Sequence, residues 1–306
     1  MPPDARVHTQ APQGAASLQM ALLPLGLLAC STSVIFIKAS QLHPVLLSAL
    51  RLLVAATALL PLFVMDLKRH GSAYGRDDVV RSCLAGLVLA LHFVSWIAGA
   101  RMTPAVNSTL LVNIVPLVTP AMLWFLVRER VSRSEWRGTA VALLGLLLLV
   151  GRDYRLQPAH FSGDLVCFGS MLLFALYLVL GRRNRDVATL WLYLVPLYGV
   201  AGLLCLAWAV FAVDLRAEPW SVRELGLAVG LGLIPGVLGH SILNSAMKHL
   251  RGQIVSVANL TQVLFAGALA YVLLDEVPVL IFYPAAALII AGAVIAITGA
   301  ASADTR

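Results

Sequence analysis

MTPAVNSTLLVNIVPLVTPAMLWFLV, residues 102–127, contains no Asp, Glu, Lys or Arg, and Arg128, Glu129 and Arg130 follow it at once. About 20 apolar residues wound as a helix cross a ~30 Å hydrocarbon core, and a helix satisfies its own backbone there. An apolar run of this length ending on a charged triplet is a membrane span meeting water. Residues 187–213, 252–274 and 277–303 are equally free of charge. The composition agrees. Of 306 residues 60% are apolar and only 12% charged, with a mean hydropathy of +0.88. A soluble domain carries about 25% charged residues, so the chain reads as an all-α integral membrane protein.

Working outward from that span gives ten: 18–37, 45–65, 79–100, 103–127, 135–151, 163–181, 188–212, 225–247, 252–274 and 278–300. The fifth is the weakest, with only residues 138–151 uncharged between Arg137 and Arg152. Snorkelling arginines and an interfacial Trp136 would lengthen it. Leu27-Leu28-Ala29-Cys30 resembles a lipoprotein cleavage box, but the one preceding basic residue, Arg6, is far from the apolar run, so the segment reads as a span. Residues 1–17 and 301–306 read as tails, and the short loops leave no room for a soluble domain.

With both ends on one side, that side collects fifteen Lys and Arg and the other six, Arg51 lying within a span. The positive-inside rule then makes both termini cytoplasmic. The net charge of +7 is scattered through short loops rather than massed in a tract, so it sets orientation and predicts no nucleic-acid partner. Cys30, Cys83, Cys167 and Cys205 lie inside apolar runs without metal-ligand spacing, and they read as small buried hydrophobes.

Sliding the chain on itself by 147 residues aligns Trp124 with Tyr271, Leu126 with Leu273, Glu129 with Glu276, Gly145 with Gly292 and Thr109 with Ser256. Near the first and sixth spans the shift is 144, with Lys38 against Arg182. Five spans per copy is an odd number, so the copies must insert upside down. The loop around Glu129 holds four arginines (Arg128, Arg130, Arg133 and Arg137) and the one after Glu276 none, the opposite charge bias that inverted repeats require. The expected halves are residues 18–151 and 152–300.

The run Ala100-Arg-Met-Thr-Pro-Ala105, then Pro116, Leu126-Val-Arg-Glu-Arg130 and Gly145, resembles the EamA-type repeat of the drug/metabolite transporter superfamily. A second copy shows Lys248–Leu250, Leu273-Leu-Asp-Glu276 and Gly292 in the same order. Arg51 sits where that family commonly has a basic residue. The overall likeness is greatest to the bacterial branch exporting aromatic and other hydrophobic amino acids. One departure is Val263 where the first copy has Pro116, which puts a symmetric hinge in question. The resemblance implies a central cavity between spans 1–4 and 6–9, with spans 5 and 10 peripheral.

Soluble chemistry finds no support: GxxxxGK[ST], HExxH, GxSxG and paired carboxylates are missing, so neither ATP hydrolysis, a metal, a cofactor nor catalysis is expected. Asn107-Ser-Thr and Asn259-Leu-Thr match glycosylation sequons but fall inside helices. Asp and Glu are absent from the span interiors, which removes the usual ion relays. His92 and His240 remain, one residue from being symmetry mates. His92, Ser95, Trp96 and Gly99 share one helix face; His240, Ser241 and Asn244 form a group; Ser256, Asn259 and Gln262 climb another face; Thr109 and Asn113 lead to Pro116. Polar groups in hydrocarbon must pair or be wetted, so these faces point inward, for interhelical bonding or for substrate.

The substrate-contact candidates are His92, Trp96, Thr109, Asn113, Tyr177, His240, Asn244, Ser256, Asn259 and Gln262. Pro116, Pro120, Pro235 and Gly236 are hinge candidates because each proline deletes a backbone bond. Arg51, seven residues after Pro44, either snorkels to the headgroups or serves as a gate or a carboxylate-attracting charge at the external mouth. The expected protein is an alternating-access exporter of small hydrophobic or aromatic amino acids in a bacterial inner membrane, as a monomer or homodimer. A nucleotide-sugar or amphipathic-cation carrier, a membrane enzyme and a passive channel are the rivals.

Overall fold

The computed structural model describes residues 13–103, 105–150, 158–274 and 280–303. Among them every regular element is helical. α1 (Gln13–Ser31) and α2 (Ser33–Ala39) form the first segment, followed by α3 (Pro44–His70), α4 (Arg76–Met102) and the pair α5 (Ala105–Asn113) and α6 (Val115–Val127). α7 (Arg133–Val150), α8 (Phe161–Arg183) and α9 (Leu190–Ala212) are single rods. α10 (Val222–Leu231), a π-helical stretch Gly232–His240 and α11 (Ser241–His249) run on as one, and α12 (Gly252–Asn259), α13 (Gln262–Leu274) and α14 (Phe282–Ala303) complete the set.

Among the described residues nine helical segments are long and apolar enough to cross a membrane. α7 is the exception, because its 18 residues begin with Arg133, Glu135 and Arg137; it is the stretch that the sequence marks as weakest. Phe125 and Phe211 stand 71% and 90% exposed on the outer surface. That cost is small where lipid tails, as apolar as the side chains themselves, are the solvent.

Four segments break, each for a local reason. The sequence predicts one helix over 18–37, but the chain turns at Thr32. There the hydroxyls of Ser31 and Thr32 donate to Leu28 O (2.6 Å) and Ala29 O (2.7 Å), offering those carbonyls an alternative partner. α5 and α6 part at Ile114, where Pro116 has no N–H to continue the ladder. α12 and α13 part at Leu260 and Thr261 with no proline; tight bonds from Leu260 N to Val257 O (3.1 Å) and Thr261 N to Ala258 O (3.0 Å) make the turn. Ile114 and Thr261 are 147 positions apart, so Val263 in place of a proline does not cost the second copy its break. Around Pro235 the expected kink is instead a nine-residue π stretch, which accommodates the missing donor by widening.

α7 and α14 lie against each other along their lengths. A Cβ on Gly145 would come within 2.7 Å of Ala285 O, and one on Gly292 within 2.5 Å of Gly138 O. Adding 147 to 145 gives 292, and to 138 gives 285, so the two close approaches are images of one another. The pair shares a smaller apolar core with Leu110, Val257, Leu260 and Val263, and Ala142, Leu146, Ile289 and Ala296 are among its fully buried members. The larger core is built from the other segments, with Leu89, Ile97, Leu178 and Leu197 fully buried.

Candidate functional site

A cavity of about 300 Å³ runs from the middle of the bundle to the end where α2 and α4 stop. α1 and α2 supply Cys30, Ser31, Ser33, Val34, Ile37 and Lys38, with Ser40 just beyond; α4 supplies His92, Phe93, Trp96, Ala100 and Arg101. Ser108, Val112 and Asn113 come from α5, Phe174 from α8, His240 from the π stretch, and Asn259, Gln262, Val263 and Ala266 from α12 and α13. Among the described lining residues none belongs to α7 or α14. None belongs to α3 or α9 either, so the second and seventh spans, expected around the cavity, stand one layer back.

Rings build one wall. The His92 imidazole stacks on Phe174 at 4.9 Å between centroids and 19°, and on Trp96 at 6.2 Å and 9°. Phe93 meets His240 edge-on at 5.4 Å. The His92 Nδ1 is held between the Ser170 carbonyl (3.0 Å) and hydroxyl (2.9 Å), which fixes the plane of the stack. Such a surface receives a flat or branched apolar body.

Of the predicted contact residues His92, Trp96, Asn113, His240, Asn259 and Gln262 line the cavity. Gln262 Nε2 donates to Asn259 Oδ1 across the α12–α13 break, so the turn brings the two amides together. Tyr177 and Asn244 do not line it: both are buried behind His240, with Asn244 Nδ2 donating to the Tyr177 hydroxyl and the ring of Tyr177 beside that of His240. Ser256 is displaced too. It is fully buried, its hydroxyl 2.9 Å from that of Thr119 on α6. Asn259 and Gln262 stay together across the turn, whereas Ser256, three residues before Asn259 in the same α12, faces α6 instead of the cavity. Ser95 donates to Leu91 O (2.6 Å) in its own helix, and Gly99 packs on Cys167. The side chain of Thr109 lies outside the described residues, as does Glu276, the partner of Glu129 in the repeat alignment.

Arg51 neither snorkels nor stands at the mouth. It is 1% exposed, with its guanidinium carbon 3.9 Å from the centroid of the Phe93 ring. Lys38 and Arg101 occupy the mouth instead, Arg101 Nη2 donating to Ser40 O (3.2 Å). Pro116 and Pro120 are buried, and the carbonyl of Pro116, which Pro120 leaves without its helical donor, accepts from Gln253 Nε2 (3.0 Å). Pro235 and Gly236 lie in the π stretch beside α3, Gly236 near Ala55. Sequence reasoning passed over Gln253, Phe93 and Phe174. An amide six residues before Asn259, a phenylalanine next to His92 and another on a different helix carry too little pattern to single them out.

The far end of the bundle is shut by ions. α6 ends with Arg128 in the left-handed region (φ 61°), which turns the chain so that Glu129 N reaches Leu123 O at 3.2 Å. Glu129 then faces the second half: Oε2 accepts from Arg182 Nε (2.7 Å) and Oε1 from Gly252 N (2.9 Å) at the start of α12, where a carboxylate complements the helix dipole. Beside it Glu135, fully buried, takes Arg251 Nε (2.7 Å) and Nη2 (2.8 Å) in a fork. Both pairs join residues 129–135 to residues 182–252, at the end opposite the mouth.

Comparison with known proteins agrees with this geometry. The model of the EamA-like transporter family matches twice, over residues 18–151 and 161–298. The uncharacterized transporter YyaM of Bacillus subtilis (strain 168) is 28% identical over 112 residues, 35% of this chain and 37% of that relative, so the match spans little more than a third of its length. A solved crystal structure superposes with a TM-score of 0.75 over 92% of this chain and 97% of its own. At 19% identity it shows the fold alone.

Proposed function

The chain belongs to the EamA-like transporter family, and from that premise, that it is a multi-pass membrane transporter, we propose that it exports small hydrophobic or aromatic amino acids or related metabolites by alternating access. The observation that carries this reading is one cavity, about 300 Å³, in which flat rings and hydrogen-bonding groups face the same space deep in the bundle. That volume is at the lower end of small-molecule sites. Trp96, His92 and Phe174 pack the cargo's apolar body, while Asn113, His240, Asn259 and Gln262 meet its polar groups. Tyr177 and Asn244 hold His240 in place rather than touching the cargo.

α7 serves as a tenth span, giving two inverted five-span halves, residues 18–151 and 152–300. The matched breaks at Ile114 and Thr261 and the mirrored contacts Gly145–Ala285 and Gly292–Gly138 support it. One half rocks against the other, with α7 and α14 as the pivot and with Pro116, Pro120, Pro235 and Gly236 taking up the bending. Both termini are cytoplasmic in a bacterial inner membrane, the cavity is therefore open outward, and the Glu129–Arg182 and Glu135–Arg251 pairs close the cytoplasmic side. A monomer or homodimer suffices, without ATP. Counterflow decides the cargo: purified protein in liposomes preloaded with phenylalanine, tryptophan or leucine accumulates the labelled amino acid faster than empty liposomes. Equal rates sink the assignment.

A further inference from the structure

Arg51 is placed where an arginine is costly. It is 1% exposed, and both terminal guanidinium nitrogens, Nη1 and Nη2, are buried without a hydrogen-bond partner. A buried cation normally takes a carboxylate, because neither desolvation nor five donors can otherwise be compensated. The ion pairs found among the described residues do not include Arg51. The groups near enough to act on its charge are Cys30, His92, Tyr177, Tyr198 and His240, and none is a carboxylate. The face of Phe93, 3.9 Å away, attracts the charge but offers the in-plane N–H groups nothing to bond.

Phe93 is also cavity wall, as are Cys30, His92 and His240. Arg51 therefore lies one ring behind the surface that a cargo would touch. At the other end of the same space stand Lys38 and Arg101, and no Asp or Glu is among the described lining residues. Glu224, which accepts from Ser40 Oγ (2.6 Å), stands behind the mouth and offsets part of the charge there, but the described wall from the mouth inward to Phe93 carries no carboxylate, so the inner end of the space favours anions over cations.

Resting on the transport reading above, we propose that the cargo is an organic monocarboxylate on a flat or branched apolar body, and that Arg51 receives its carboxylate once the Phe93 ring turns aside. The planar fork of the guanidinium matches a carboxylate with two parallel bonds, which supplies the acceptors that Nη1 and Nη2 lack. A zwitterionic amino acid brings an ammonium that meets no carboxylate in the described wall, so it ranks behind the simple acid. An amine alone is excluded.

The test uses matched bodies on the detergent-purified full chain, read by ligand-induced thermal shift and then by counterflow in liposomes. The probes are phenylacetate, phenylacetamide, phenylalanine and benzylamine, with isovalerate, isovaleramide, leucine and isoamylamine as the branched set. The wild-type protein binds each acid at least about tenfold more tightly than its amide, the amino acid falls between, and the amine gives no shift. Arg51→Gln brings acid and amide together, while Arg51→Lys keeps part of the preference. An amide equal to its acid in the wild type overturns the proposal, as does an acid preference that survives Arg51→Gln. Should Arg51→Gln not fold, the wild-type comparison and Arg51→Lys decide. No shift with any acid at millimolar concentration also overturns it. Acid-selective, Arg51-dependent binding without counterflow of any probe leaves this inference standing and sinks the transport mechanism. Counterflow of amino acids indifferent to Arg51 does the reverse.

Discussion

Glu129→Gln removes one charge and leaves the side chain's shape nearly unchanged. In the structure that charge accepts two hydrogen bonds, from Arg182 Nε at 2.7 Å and from Gly252 N at 2.9 Å. The Arg182 side chain is 9% exposed and that of Glu129 10%, so water screens the pair little. Bonds to an ionised group contribute about 1.5–3 kcal/mol each, and breaking a buried pair from one side costs about 3–5 kcal/mol. Arg182 keeps only two long bonds, to Met247 O (3.3 Å) and Lys248 O (3.4 Å). A net loss of at least ~2 kcal/mol for the closed end opposite the mouth follows, roughly a 30-fold change in the ratio of protein open at the mouth to protein open at the other end, at 1.4 kcal/mol per decade. The assay is a single thiol at Ala266→Cys in the cavity wall, in a background without the four native cysteines, reacted with a membrane-impermeant maleimide. The parent is labelled from the Lys38–Arg101 face, and Glu129→Gln is labelled from the opposite face about 30-fold faster than the parent. Unchanged sidedness together with a lowered melting temperature refutes the reasoning, because the bond then braces the fold without acting as a gate.

Three further outcomes are expected. Gly292→Ala places a Cβ 2.5 Å from Ala142 N and Gly138 O, so the α7–α14 contact must spread at a cost of about 1–3 kcal/mol; the melting temperature falls, whereas Gly169→Ala, with nothing within 4 Å, leaves it unchanged. Gln253→Leu takes the donor from Pro116 O and from Thr139 Oγ1 (2.8 Å), costing about 1–3 kcal/mol for the buried acceptors left bare, and differential scanning of the purified variant reads the loss. The loop residue Tyr74 donates to Leu192 O at 3.0 Å, and partial burial, with Asp78 beside it, pushes its hydroxyl up to about 12. Folding thus favours its protonated form, so that contribution to stability is present below the unfolded value near 10 and is lost as pH rises toward 12; Tyr74→Phe shows a smaller decline of melting temperature over that window, and an identical decline removes the assignment.

Hydropathy is a local property, and what depends on it was legible in the chain. The course of the long apolar segments, the weakness of the segment at 135–151 and the offset of 147 that pairs Gly145 with Gly292 all follow from residue order, because the bilayer demands about 20 apolar residues per crossing. On the continuous α4, His92 and Trp96, four residues apart, both line the cavity. The misplaced residues are those whose partners lie on other helices: Arg51 against Phe93, and Tyr177 and Asn244 behind His240. Ser256 shares α12 with Asn259, yet it meets Thr119 on α6 and not the cavity, because the packing of α6 against that helix decides which side is covered.

What the tertiary structure alone decided is which polar groups meet. Nothing near Arg51 in the chain says that it will lie over Phe93 without an acid beside it, nor does the neighbourhood of Glu129 announce Arg182 and Gly252. The sequence by itself determined a bundle of apolar rods, their spacing and their internal echo. The cavity, its cationic lining and its ionic closure depend on contacts between residues far apart in the chain. Those are chosen by packing and by the need of each buried charge for a partner, forces that act across the fold rather than along it.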